Sequence, residues 1–217
     1  MYNVIITGST CLVGGVVLHR CPERTDVARL TAIVRKPTGR SHPKLVELVH
    51  PDMNDFTVIK DRLSGNTVAF HCIGVYTGAV PPDQFRRITV DQTIAFAMAL
   101  RAASPEVVFC LLSGDGADRT GKSRIMFARD KGAAENGLVE LGFNRLHCFR
   151  PGYIFPVEPR REPNSLYRFM RPLWKYFLSW AYPNGGCTSH QLADAMVKAG
   201  LDGSSKEVFS NRDIRSA

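Results

Sequence analysis

Hydrophobic residues along the chain gather in short runs that alternate with segments of helical length. Several of the runs are continuously apolar, which is typical of parallel strands covered by helices on both faces. The candidate strands are residues 2–7, 30–34, 45–49, 67–73, 107–112 and 143–149, and the candidate helices between them are 12–21, 56–63, 84–102 and 124–141. This alternation predicts repeated β-α-β units and therefore an α/β fold built on a doubly wound parallel sheet.

The pattern changes after Arg150. Residues 156–163 are rich in proline and charge and predict a loop. Residues 164–182 are aromatic and basic, and they predict a helix interrupted at Pro172. Residues 188–201 follow with the spacing of an amphipathic helix.

The end of the chain completes the predicted domain. Thr188 or Ser189 is suited to cap the last long helix, and residues 206–211 predict a final strand. We therefore expect one domain over residues 1–217, with a small C-terminal helical region at 156–200 that faces a substrate or a partner.

Composition narrows the possible classes. The 217 residues are 44% hydrophobic and 22% charged, so the chain can bury a core, and wholesale disorder or a collagen-like or mucin-like repeat is excluded. No apolar run approaches the roughly 18–20 residues that span a bilayer, and the N-terminus lacks the pattern of a signal peptide. These features predict a cytosolic protein without a transmembrane segment.

Charge and the metal-binding residue types add little chemistry. The formal charge of +8 permits nucleic-acid binding, but no dedicated motif supports it. The six cysteines and six histidines are scattered, without a C-x-x-C or H-x-x-x-H spacing. We therefore expect reduced, inert cysteines and no metal site.

The loop after the first strand reads GSTCLVG over residues 8–14. Gly8 and Gly14 fit a G-x-x-G-x-x-G motif, whose glycines allow a tight turn and the approach of a pyrophosphate to a helix N-terminus. Cys11 takes the central position, where its side chain crowds the path of a dinucleotide, although the hydroxyls of Ser9 and Thr10 can still bond phosphate. The loop predicts either a dinucleotide site or a tight turn that binds no ligand.

The end of the second strand bears on the choice of nucleotide. NAD-binding proteins usually carry an acidic residue there for the ribose 2′-hydroxyl. This chain has Arg35 and Lys36 instead, which favours the 2′-phosphate of NADP(H) over NAD. The alternative is that both are solvated loop charges.

Six short motifs occur in a characteristic order. They are TGSTCLVG (7–14), Asp52 after the third strand, CIGVYTG (72–78), LLSGDGAD (111–118), Lys-Gly at 131–132 and FRPGYI (149–154). Together they resemble the atypical short-chain dehydrogenase/reductases, and within these the HTATIP2-like oxidoreductase group, over residues 2–155. The resemblance implies an NAD(P)-binding Rossmann domain and the reduction of a small carbonyl substrate.

The resemblance also implies roles for individual residues. Catalytic positions are matched by Ser113 and by Lys131, the lysine of Y-x-x-x-K. The implied cofactor-binding residues are Gly8, Ser9, Thr10, Leu12 and Val13 at the pyrophosphate, Arg35 and Lys36 at the adenosine phosphate, Asp52 and Met53 near the adenine, Cys72, Ile73 and Gly74 at the nicotinamide-side ribose, and Lys131, Pro151 and Gly152 beside the nicotinamide.

One position departs from the family pattern. The tyrosine of Y-x-x-x-K falls at Phe127, which has no hydroxyl. A positioned acid or base is typically worth 10²–10⁴-fold, so its loss corresponds to roughly 3–5 kcal/mol of barrier. Tyr76, Tyr153, or Lys131 together with Ser113 are alternative proton donors. Asp115 and Asp118 are expected to shape the loop rather than act as bases.

Three functions remain open after these observations. The first is an NADP(H)-binding, weak or unconventional carbonyl oxidoreductase. The second is a non-catalytic NADP(H)-binding module that contacts a protein partner, or a second copy, through residues 164–182. The third is a scaffold in which Cys11 excludes any dinucleotide. The basic aromatic segment 164–182 itself predicts a flap over the substrate pocket, a protein interface or a membrane-surface contact.

Overall fold

The computed structural model describes residues 1–157 and 185–217. Its main feature is a seven-stranded sheet in which every neighbouring pair is parallel. The strands are β1 (Tyr2–Thr7), β2 (Val27–Val34), β3 (Leu45–Val49), β4 (Val68–His71), β5 (Val108–Leu112), β6 (Leu146–Arg150) and β9 (Val208–Ser210). A separate parallel pair is formed by β7 (Tyr153–Phe155) and β8 (Gly186–Thr188).

The helices cover both faces of this sheet. They are α1 (Leu12–Glu23), a 3-10 helix (Thr57–Leu63), α2 (Pro82–Arg86), a π-helical turn (Arg87–Asp91), α3 (Gln92–Ala103), α4 (Met126–Glu140), α5 (Ser189–Leu201) and α6 (Asn211–Ser216). The predicted doubly wound α/β sheet is confirmed. None of the helices in the described ranges is long and apolar enough to cross a membrane.

Alternation along the strands builds two hydrophobic layers. In β1, Val4 and Ile6 point into the layer that contains α1 and α5, whereas Ile5 points into the layer that contains α3 and α4. All three side chains are fully buried. A strand buried on both faces needs apolar residues at successive positions, which explains the continuous runs in the sequence.

The strand order is β3-β2-β1-β4-β5-β6-β9. The chain moves outward from β1 to β3 and then returns to place β4 on the other side of β1. Loops that leave β1 and β4 at their carboxyl ends therefore diverge and open a crevice, which is where ligands bind in sheets of this kind.

Two predicted helices differ from the observed ones. Residues 57–63 form a 3-10 helix, and the predicted helix 84–102 is divided by the π-helical turn Arg87–Asp91 into α2 and α3. The hydrophobic spacing is compatible with either hydrogen-bond pattern over so few residues, so periodicity alone did not distinguish them.

The C-terminal region also differs from the expectation. Helix α5 packs against α1, and its Leu192 and Met196 are fully buried in the core. Residues 189–200 are therefore part of a helical layer of the sheet rather than of a substrate-facing insertion. Thr188 is the N-cap, with a capping box to Gln191, as the sequence predicts. The predicted helix at 164–182, with its basic and aromatic residues, lies outside the described residues.

Candidate functional site

A cavity of about 540 Å³ opens at the carboxyl ends of β1, β4 and β5. It lies at the point where the strand order reverses, so the topology alone places it where a ligand is expected. Its lining consists of Thr10, Cys11, Leu12, Val13, Cys72, Gly74, Val75, Tyr76, Thr77, Leu112, Ser113, Gly114, Asp115, Phe127, Lys131, Pro151, Gly152, Tyr153, Ile154 and Pro156. Most of the residues that the sequence predicts for the site are thus brought together.

The glycine loop closes very tightly between β1 and α1. Gly8 has a φ of +75°, and a Cβ on Gly14 would stand 2.1 Å from the carbonyl oxygen of Gly8. Both glycines are therefore required for the turn. Cys11 is accommodated as the N-cap of α1, with its side chain half-buried at the cavity wall.

The same loop has unused hydrogen-bonding capacity. The Cys11 side chain makes no capping hydrogen bond, so the first-turn N–H groups of α1 are not satisfied by a side-chain cap. The hydroxyl of Ser9 is buried and has no hydrogen-bond partner in the described part of the chain. Donors gathered at the N-terminus of a twelve-residue helix fit a phosphate group.

The residues predicted for the adenosine half lie apart from the cavity. Arg35 and Lys36 are exposed at the end of β2. Asp52 is also exposed, and hydrogen bonds from Asn54 hold its pKa below the ordinary value. Met53 is buried in the apolar layer beside Phe56, so its side chain serves the core.

The residues predicted for the nicotinamide half meet at the cavity, with one difference. Cys72, Gly74, Pro151 and Gly152 all line it. Ile73 instead packs against the hydrophobic layer on the α3 side. Ile73 lies two residues after the end of β4 and next to Cys72, and successive side chains along an extended strand point to opposite faces of the sheet.

Ser113 and Lys131 lie together at the inner end of the cavity. The Ser113 hydroxyl donates to Glu135 Oε1 at 2.6 Å, and Lys131 Nζ donates to the carbonyl oxygen of Leu112 at 3.2 Å. Burial lowers the pKa of Lys131 to about 8, although the nearby Glu135 carboxylate acts in the opposite direction.

Phe127, which the resemblance matches to the tyrosine of Y-x-x-x-K, lines the cavity wall. A Cβ on Gly114 would lie 2.5 Å from Phe127 Cζ, so the ring packs directly on the Gly114 main chain. The other face of the site brings Tyr76 and Tyr153 to the same cavity, as the sequence predicts.

The two loop aspartates, Asp115 and Asp118, make different contacts. Asp118 accepts hydrogen bonds from the backbone N–H groups of Thr120 and Ser123, so it shapes the turn as expected. Asp115 lines the cavity, and its backbone N–H donates to the carbonyl oxygen of Pro151.

A buried carboxylate, Glu135, contacts Ser113 and was not predicted from the sequence. The Glu135 side chain is fully buried and paired with both Arg119 and Arg150. Burial alone would raise the pKa of Glu135, but hydrogen bonds from Arg150, Ser113 and Arg119 lower it below the ordinary value. The available signal was spacing, because a residue four positions after Lys131 lies on the same face of α4.

A second buried polar group, His71, connects the end of β1 to the start of α3. His71 Nδ1 lies 2.8 Å from Thr7 Oγ1, and His71 Nε2 lies 3.1 Å from Thr93 Oγ1. Thr93 donates its proton to the carbonyl oxygen of Thr89, so we assign Nε2 as the protonated nitrogen and Thr7 as the donor to Nδ1. Burial lowers the pKa of His71 to about 3, with a further contribution from Lys131.

The cysteines other than Cys11 are buried free thiols. Burial raises the pKa of each of them above the ordinary value, including Cys72 in the cavity wall. These five side chains therefore behave as small hydrophobic groups.

Comparison with known proteins identifies relatives along nearly the whole chain. The mitochondrial protein fmp52 of Aspergillus clavatus is 30% identical over 208 residues, which cover 93% of this chain and 88% of that protein. Protein HTATIP2 of Rattus norvegicus is 28% identical over 170 residues, or 75% of this chain and 67% of that protein. No family model matches the chain.

Solved structures show the same fold at low sequence identity. The Bordetella bronchiseptica enzyme WbmH in complex with NAD+ has a TM-score of 0.69 at 17% identity, covering 100% of this chain and 79% of WbmH. A putative NADH-flavin reductase of Streptococcus pneumoniae has a TM-score of 0.63 at 14% identity, covering 94% of this chain and 95% of the reductase.

The relatives overturn one expectation and establish the family. The predicted cytosolic location is wrong, because the fmp52 relatives are mitochondrial by name, and the N-terminal pattern was too weak a basis for it. The match to fmp52 covers 93% of this chain, and the solved structures share its fold. This chain belongs to the Fmp52 and HTATIP2 family of atypical short-chain dehydrogenase/reductases.

Proposed function

We propose that this protein binds NADP(H) at the glycine loop and acts as a weak oxidoreductase whose proton-transfer group has been lost. The observation that carries the proposal is the pairing of two features at one cavity. The start of α1 lines the cavity without a side-chain cap, and the buried Ser9 hydroxyl, which has no partner among the described residues, lies in the same loop, so this loop suits a pyrophosphate. Phe127 replaces the phenol that would serve the reacting end.

The preference for NADP(H) rests on Arg35 and Lys36. Both side chains are exposed where β2 ends, beside the loop that would hold the adenosine ribose. Two cations without a carboxylate suit a 2′-phosphate better than a 2′-hydroxyl. The structure of WbmH, which shares this fold, contains NAD+ rather than NADP(H).

The residues at the inner end determine what chemistry remains. When bound, the nicotinamide ring supplies or accepts hydride. Lys131 keeps its ammonium group at the cavity wall and can hold hydroxyl groups there, while Ser113 orients a substrate oxygen. Phe127 excludes water but moves no proton, so the barrier is higher by roughly 3–5 kcal/mol than with a positioned acid or base.

The same substitution supports a second candidate function. A site that retains the nucleotide loop but lacks the proton donor can report nucleotide binding without turnover. In that case the protein is a regulatory or protein-interaction module that holds NADP(H). Turnover by the wild-type protein with a broad panel of ketones and aldehydes separates the two candidates.

Nucleotide binding is tested by the melting temperature of the protein with NADPH and with NADH. We expect NADPH to raise it at lower concentration than NADH. Arg35→Ala should weaken NADPH binding by about ten- to a hundredfold while leaving NADH binding unchanged, as expected for a lost charged hydrogen bond. Arg40→Ala, at another exposed arginine of the same loop, is the matched control.

Two outcomes contradict this proposal. Equal weakening of both nucleotides by Arg35→Ala removes the assigned role of Arg35. If neither nucleotide raises the melting temperature at millimolar concentration, the glycine loop is only a structural turn.

A further inference from the structure

The hydrogen bonds around Glu135 leave little freedom to the groups that touch it. An ionised carboxylate only accepts, and here each oxygen accepts twice. Oε1 receives Ser113 Oγ at 2.6 Å and Arg150 Nε at 2.9 Å, and Oε2 receives Arg119 Nε at 2.6 Å and Arg150 Nη2 at 2.5 Å. With two arginines beside it and no exposed side-chain surface, Glu135 stays ionised.

The consequence for Ser113 is a fixed direction of its hydroxyl proton. A serine hydroxyl carries one proton and two acceptor lone pairs. Its proton is held by Glu135 on the side away from the cavity, so the oxygen offers lone pairs to whatever lies in the cavity. Ser113 in this state accepts a hydrogen bond from a ligand and cannot donate one.

We propose that Glu135 is a positioning residue that makes Ser113 an acceptor, and that the inner end of the cavity therefore selects a ligand hydroxyl, an alcohol, over a carbonyl oxygen. The inference deepens the proposed function by naming the member of the alcohol–carbonyl pair that the site binds.

The neighbouring cation completes the selection. Lys131 has three N–H donors, of which Leu112 takes one. A ligand hydroxyl can accept from Lys131 and donate to Ser113 at once, whereas a carbonyl oxygen leaves the Ser113 lone pairs unmatched. Phe127 and Ile154 make the nearby wall apolar, so the matching ligand is an alcohol with a hydrophobic body.

The test compares 1-phenylethanol with acetophenone, which differ at the oxygen-bearing carbon. Their dissociation constants are measured by ligand-observed NMR with the wild-type protein, with and without NADPH. We expect the alcohol to bind at least about fivefold more tightly, the size of one hydrogen bond.

Variants assign this preference to the Glu135–Ser113 pair. Glu135→Gln puts an N–H donor beside Ser113 and frees its proton toward the cavity, so the preference should fall to about one or reverse. Ser113→Ala should abolish it, and Ser113→Thr, which keeps the hydroxyl, should restore it. Glu207→Gln is the matched control, because Glu207 also pairs with Arg119 but does not contact Ser113.

The outcomes are distinct from those of the nucleotide experiment. Equal binding of both compounds, binding of neither, or a preference that survives Ser113→Ala overturns the inference. If Glu135→Gln does not fold, the two Ser113 variants still decide it. NADPH binding without an alcohol preference refutes only this inference, and an alcohol preference without NADPH binding refutes only the proposed nucleotide function.

Discussion

His71 makes the stability of this protein sensitive to acid. Burial lowers the pKa of His71 from 6.5 to about 3, so the folded protein keeps the ring neutral while the unfolded chain protonates it below pH 6.5. The contribution of the neutral His71 ring to the free energy of unfolding is complete above pH 6.5, and it is lost as the pH falls toward 3. Each pH unit in that window removes about 1.4 kcal/mol from the free energy of unfolding. Between pH 6.5 and 4.5 this residue alone accounts for a loss of about 2.5 kcal/mol.

The perturbation is His71→Gln, measured by urea unfolding followed by circular dichroism at four pH values from 7.5 to about 4.5. At pH 7.5 the variant should be less stable by about 1–3 kcal/mol, because the hydrogen bonds to Thr7 and Thr93 are disturbed. The difference from wild type should then shrink by about 1.4 kcal/mol per pH unit below 6.5.

Carboxylates and His147 also make the free energy of unfolding depend on pH. They are present in both the wild type and His71→Gln, so their contributions cancel in the stability difference between the two proteins. Burial lowers the pKa of His147 as well, and hence the comparison is made between variants rather than within one curve. His19→Gln, at an exposed position of α1, is the control for removing a histidine. A stability difference between His71→Gln and wild type that stays constant from pH 6.5 to 4.5 would refute the reasoning.

Three further predictions concern the loop and the cavity. Gly14→Ala places a Cβ 2.1 Å from a backbone carbonyl oxygen and should lower the melting temperature by at least about 5 °C, whereas Gly15→Ala, whose nearest contact is 3.6 Å, should be tolerated. Glu135→Ala leaves two arginines without their buried partner and should cost about 3 kcal/mol in urea unfolding, against little change for Glu207→Gln. Phe127→Tyr should raise NADPH-dependent ketone reduction by at least about tenfold, and a wild-type rate equal to that of the variant contradicts the assigned loss of the proton donor.

The sheet could be predicted because its requirements are local. A strand buried on both faces needs a continuous apolar run, and the turn after β1 needs glycines at 8 and 14, so each is visible in a few adjacent residues. Helix α5 was assigned to an appendage because the proline-rich and charged sequence at 156–163 separates it from the repeating units. Its packing on α1 is a long-range contact that spacing does not reveal.

The polar groups inside the protein were harder to predict. In the sequence, Glu135 and Arg119 look like ordinary charged residues of an exposed helix and loop. Only the fold shows that Glu135 bonds both Ser113 and Arg119. His71 lies within an apolar run of the sequence. Its two hydrogen-bond partners, Thr7 and Thr93, come from distant segments, so the sequence does not show them together. The π-helical turn cannot be recognised from the hydrophobic pattern, since the spacing of its apolar residues also fits an α-helix.

The contact between Phe127 and Gly114 restricts the order in which this site can change during evolution. While the ring rests on the bare main chain, any residue larger than glycine at 114 meets Cζ at 2.5 Å. A lineage that adds a side chain at 114 must first move or shrink residue 127, and one that regains a hydroxyl at 127 must find space for the extra atom beside 114. Residues 114 and 127 are thus expected to vary together among descendants. The residue type at either position can therefore be understood only together with the residue type at the other.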